Sequence, residues 1–99
     1  MALYFISLSL PDGGAIVLCD MSNPDRALSN DTIERNVYRI DTQGMVVRQI
    51  VPVQAVRPRT PFTNIYFESD GKLRAFRFDC HEHEIDIQTG RSRIIDFLK

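Results

Sequence analysis

The sequence predicts a mostly β fold, with antiparallel hairpins forming one twisted sheet, a sandwich or an open barrel of about seven to eight strands. At most one short helix is expected, near residues 24–29. Three features carry this reading. Apolar and polar residues alternate with period two through much of Leu3–Met21, Arg35–Val51 and Asn64–Gly90, as strands with two unlike faces require. Glycine-bearing turn signals, Asp12-Gly13, Gly44, Asp70-Gly71 and Thr89-Gly90, fall between the alternating runs, and such turns join antiparallel neighbours. The chain is a 99-residue one, which is the size of a single domain able to bury a core without disulfides or metal.

Leu3 to Met21 reads as the first hairpin. With Asp12-Gly13 as a two-residue loop, Tyr4, Ile6, Leu8 and Leu10 share a face with Ala15, Val17, Cys19 and Met21. Ser7 and Ser9 fall on the other face. This is the cleanest alternation in the chain, so it should sit centrally in the core, with Cys19 acting as a small hydrophobe. Asn23-Pro24-Asp25 then reads as an N-cap, a proline at the first helical position and an acid in the first turn. The helical turn this starts should pass through Arg26, Ala27 and Leu28 and stop before Asn30-Asp31.

Arg35 to Val51 is a further hairpin, with Thr42-Gln43-Gly44 as a three-residue loop whose glycine supplies the left-handed position. Tyr38, Ile40, Val46 and Ile50 are expected to share a face, with Arg39 and Arg48 pointing to opposite sides. Pro52, Pro58 and Pro61 each lack a ladder donor, so residues 52–63 should be a stiff extended loop rather than a central strand. That loop presents Arg57 and Arg59 on either side of Pro58.

Residues 64–90 organise the rest. Around Asp70-Gly71 as a two-residue loop, Ile65 falls opposite Phe76 and Phe67 opposite Arg74, giving a face of Ile65, Phe67, Phe76 and Phe78. Thr89-Gly90 is expected to close the last hairpin, setting Asp86 opposite Arg93, Ile85 opposite Ile94 and His83 opposite Asp96.

Hydrophobic residues make up 43% of the chain and the net charge is −1. That is an ordinary globular composition with no global pull toward nucleic acid or membrane. The charge is unevenly spread, with one basic and five acidic residues in 1–34, eight and three in 35–77, and three and five in 78–99. Ten of the twelve cations are arginine, the residue suited to planar bidentate contacts at interfaces. Cys19 and Cys80 fit a reduced cytoplasmic chain. No cleavable signal or membrane-spanning run is visible. An unpaired edge strand would allow a homodimer as well as a monomer.

No nucleophile elbow, phosphate loop or dinucleotide turn is present, so no enzymatic activity and no cofactor are expected. Asp79-Cys80-His81-Glu82-His83 groups metal-ligand side chains, but no second cysteine or histidine group lies elsewhere to complete a tetrahedral site. The reading is therefore a polar corner without metal, in which His83 hydrogen-bonds near Asp96. For partner binding, the rigid loop points to Arg57 and Arg59, and the polar connector to Asp25 and Arg26. Arg74 and Arg77 complete the set, and Arg57, Arg59, Arg74 and Arg77, with Tyr66 and Phe67 close by, would also suit a nucleic-acid-binding face, the second functional reading.

The run PFTNIYFESDGKLRAFRFD followed by HEIDIQTG resembles the immunity proteins, small single-domain bacterial proteins encoded beside secreted or contact-delivered toxins. The resemblance spans about residues 36–90 and is strongest in 61–90. It implies a non-catalytic protein that neutralises one cognate toxin by tight binding and occlusion. Members directed at nucleases are often acidic, and a net charge of −1 departs from that pattern. The resemblance assigns no individual functional residue.

Overall fold

Aspartate and glycine at the hairpin tips set the register of this molecule. In the computed structural model, which describes residues 4–21, 27–50, 59–77 and 81–97, three hairpin loops share one construction. Gly13 N–H donates to Leu10 O at 3.0 Å, Gly44 N–H to Asp41 O at 3.1 Å and Gly71 N–H to Glu68 O at 2.8 Å. The glycines lie at φ of 90°, 83° and 82°, and Arg59 alone among the described non-glycine residues has a positive φ. Each loop is thus three residues long, a turn followed by a left-handed glycine. Aspartate supports it from the side: Asp12 Oδ1 accepts from Gly14 N–H at 2.8 Å and Asp70 Oδ1 from Lys72 N–H at 2.9 Å.

The loop expected at Thr42-Gln43-Gly44 is found. The two expected at Asp12-Gly13 and Asp70-Gly71 are one residue longer than expected: only the glycine of each has a positive φ, where a two-residue loop would place the aspartate there as well. That single residue moves each facing strand by one position and exchanges its faces.

The strands are β1 (Tyr4–Ser9), β2 (Ala15–Cys19), β3 (Val37–Ile40), β4 (Val46–Gln49), β5 (Phe62–Phe67), β6 (Leu73–Arg77), β7 (His81–Ile85) and β8 (Ser92–Phe97), with one helix, α1 (Asn30–Glu34), between β2 and β3. They form two four-stranded sheets in chain order, β1-β2-β3-β4 and β5-β6-β7-β8, every neighbouring pair antiparallel. The architecture is two meanders that face each other, without closure into a barrel. Ile16, Leu18, Val37 and Ile50 from the first sheet share a core with Phe62, Ile65, Leu73, Ala75 and Ile85 from the second.

Each corrected register is visible in that core. Ile6 pairs with Leu18 and Leu8 with Ile16, so Ile16 and Leu18 join the main core, while Val17 and Cys19, also buried, lie outside it. Ile65 pairs with Ala75 and Phe67 with Leu73, so Phe76 leaves the inner face. A bulge in β4 sets Arg39 directly opposite Arg48 rather than on the other side; Ile50 is buried as expected, whereas on β3 Val37 is buried in place of Tyr38 and Ile40. In the last hairpin, Gly90 N–H donates to Asp86 O at 2.7 Å. Asp86 turns onto its own loop, accepting from Gln88 N–H at 2.8 Å. Glu84 therefore takes the place opposite Arg93, Ser92 faces Ile85, and Ile94 faces His83.

The helix is short, as expected, but begins where it was expected to stop. Ser29 is its N-cap, Thr32 N–H donating to Ser29 Oγ at 3.1 Å, with Asp31 in the first turn. Buried Ile33 anchors it. Residues 27 and 28 form a turn, and the cap expected at Asn23 lies outside the described residues. Local capping signals existed at both places, and the apolar anchor is Ile33. No described helix is long and apolar enough to cross a membrane.

Asn36 joins the two sheets. It is 0% exposed. Its Nδ2 donates to Cys19 O and Phe62 O, both at 2.8 Å, and its Oδ1 accepts from Phe62 N–H at 2.9 Å.

Candidate functional site

Strand parity separates the arginines that the sequence groups together. Arg74 and Arg77 lie an odd number of residues apart on β6, so they point to opposite faces. Arg77 is turned inward and 1% exposed. Its guanidinium lies 4.4 Å from the centre of the Phe62 ring and donates to Glu34 O at 3.2 Å. Arg59 bridges the approach to β5 and the start of α1: its N–H donates to Glu34 Oε2 at 2.9 Å and its guanidinium to Leu28 O at 2.8 Å. Asp25, Arg26 and Arg57 lie outside the described residues. The structure thus brings Arg59 and Arg77 to the same turn of chain at Glu34, and places Arg74 on a different surface.

That surface is the outer face of the second sheet, where charges alternate across the strands. Arg74 lies 3.6 Å from Glu82, 3.9 Å from Asp70 and 4.0 Å from Glu84. Glu84 also pairs with Arg93 at 2.7 Å and Lys72 at 3.5 Å. The Arg93 hydrogen bond, with Lys72 adding to it, holds the Glu84 carboxyl below its ordinary range. Tyr66 O–H donates to Glu82 at 2.6 Å. Desolvation, reinforced by that bond to an anion, pushes the phenol up to about 12. Lys72, Arg74 and Arg93 are balanced by Asp70, Glu82 and Glu84, so a phosphate backbone would have to displace carboxylates already in place.

A cleft of about 520 Å³ opens beside this face, with Leu73, Ile85 and Ile87 among its lining and Lys72, Arg91 and Arg93 near Glu84 and Asp86.

The polar corner differs from its expected form at His83. The imidazole is fully buried and meets the Phe62 ring edge-on with centroids 5.0 Å apart. Its strand neighbour on β8 is Ile94, not Asp96, because the last hairpin closes on Asp86 and Arg91 with a four-residue loop, two residues longer than expected. Asp79 and Cys80 lie outside the described residues. Among the described residues no group of three histidine, cysteine or acidic side chains is placed to hold a metal.

The surface that the sequence reading missed is β4. Met45, Val46 and Val47 are 64%, 59% and 53% exposed. β4 is an edge of the first sheet, and no described strand pairs with its outer side. The signal was present as Met-Val-Val directly after a turn glycine, but alternation assigned Val46 to the core. The bulge that places Val47 as an extra residue keeps all three outside.

No curated protein and no solved structure matches the chain. A family-level match runs over residues 10–97, from the tip of the first hairpin through β8, and the chain belongs to the DUF7957 family, a domain of unknown function.

Proposed function

We propose that this protein is a non-catalytic protein-binding domain that engages its partner along β4. The exposed run Met45-Val46-Val47 carries this reading. Consecutive apolar side chains left in water on an open strand edge are avoided unless something covers them. Edge strands recruit partners through main-chain hydrogen bonds as well as side chains. The resemblance of residues 36–90 to immunity proteins supports a cognate bacterial toxin as that partner, met in the cytoplasm and occluded over roughly 800 Å² per side.

The test is a pull-down of the product of the adjacent gene with the wild-type chain and with Val46→Lys. The expected result is capture by the wild type and loss of capture by the variant. A housekeeping enzyme encoded next door, with no capture, would remove the toxin reading.

A further inference from the structure

β4 carries a second feature that narrows what can lie against it. Arg39 and Arg48 stand directly opposite each other across β3 and β4, where like charges repel. Arg39 is compensated, with Nη2 3.0 Å from the Asp12 carboxylate and Nη1 donating to Ile87 O at 3.3 Å. Arg48 has no ion pair or side-chain hydrogen bond among the described residues and is exposed. Its stem runs alongside Gly90, where an added Cβ would come within 3.1 Å of Arg48 Cδ, so the guanidinium is held next to the strand edge. The main chain is open further along the strand. Asp41 N–H donates to Met45 O, so the alternating ladder leaves the Val46 N–H and C=O directed outward, whereas the Gln49 C=O lies against the Gly90 loop.

We propose that β4 takes up an extended segment of a partner protein as an added strand. The segment's apolar side chains cover Met45, Val46 and Val47, and a carboxylate pairs with Arg48. This rests on the protein-binding reading and specifies its partner chemistry: an extended, acidic and apolar stretch. A second copy of the chain is the competing occupant and fits less well. Met45-Val46-Val47-Arg48-Gln49 contains no acid, so antiparallel self-pairing leaves both guanidiniums uncompensated.

The probe is a fluorescein-labelled eight-residue peptide of alternating valine and threonine with a central glutamate. It is titrated by anisotropy into the full chain, Val46→Lys and Arg48→Glu, each checked for native circular dichroism. Wild type should saturate, and both variants should bind at least about tenfold more weakly, a loss of ~1.4 kcal/mol. A peptide with lysine in place of glutamate should reverse the preference and favour Arg48→Glu. No saturation by about 1 mM, the range of the weakest specific binding, would overturn the proposal, as would equal affinity for all three chains. A concentration-dependent dimer in sedimentation, abolished by Val46→Lys, would identify a second copy as the occupant and also overturn it. Capture of the adjacent gene product without peptide binding removes strand addition and leaves the protein-binding reading. Peptide binding without capture removes the toxin and leaves strand addition.

Discussion

Asn36 has no exposed surface, and its side chain closes three hydrogen bonds to the backbone of Cys19 and Phe62. Truncation leaves those buried groups without partners, each costing about 1–3 kcal/mol. Asn36→Ala should therefore lose about 2–4 kcal/mol in urea denaturation, near the upper end of single-substitution effects. The two β6 arginines should separate sharply. Arg74→Ala alters an outer-face ion-pair network and should cost about 1 kcal/mol or less. Arg77→Ala empties a buried site over Phe62 and should cost about 3 kcal/mol or more; equal losses would contradict the opposed orientation. Tyr66 should ionise at about pH 12, read as the phenolate absorbance lost in Tyr66→Phe. Its pKa is raised in the fold, so its contribution is complete below the ordinary tyrosine value and disappears as pH rises through the folded one. Glu82→Gln should lower the midpoint only part of the way, because desolvation is the larger cause.

At the scale of elements, loop length decides which strand face becomes the core. Gly71 and Gly90 have nearly the same φ, 82° and 77°, but a Cβ at Gly71 meets nothing within 4 Å whereas one at Gly90 meets Gln49 O at 2.8 Å. Gly71→Ala should then cost about 1–2 kcal/mol for the left-handed backbone alone. Gly90→Ala should cost clearly more, since the last hairpin's loop is pressed against β4. Thermal denaturation of the two variants side by side measures the difference. The same contact means that displacing the Gly90 loop would disturb the strand on which the proposed partner docks.

For the whole molecule, acidification should weaken the fold through carboxylates used far apart. Asp12 is held below its ordinary range by the Gly14 N–H and then by Arg39, and Glu84 by Arg93. Both lowered values stabilise the native state above the unfolded carboxylate range, and that contribution is lost as pH falls through the folded values. Urea midpoints should decline below about pH 4, with a smaller decline in Glu84→Gln. An unchanged slope in that variant would show the Glu84–Arg93 pair to be irrelevant to acid stability.

Strand content, hairpin connectivity and the positions of the turn glycines follow from local chemistry, and period-two alternation with Asp-Gly signals suffices to read them. Phe62 and Ile65 could be placed in a strand by the same means. Which face each strand buries could not be read, because a two-residue and a three-residue loop share the same Asp-Gly signal and differ only in the aspartate's φ. That choice sends Phe76 outward and leaves Ala75 inside with Leu73. It is settled by how well the facing sheet fills, a non-local condition. The β4 bulge belongs to the same class, as does Asn36, whose value depends on Cys19 and Phe62 arriving from different sheets. The candidate docking strand was thus present in the sequence as Met45-Val46-Val47, but its exposure was decided by pairing with β3 alone, since nothing in a strand's own residues says which of its two edges will be left open.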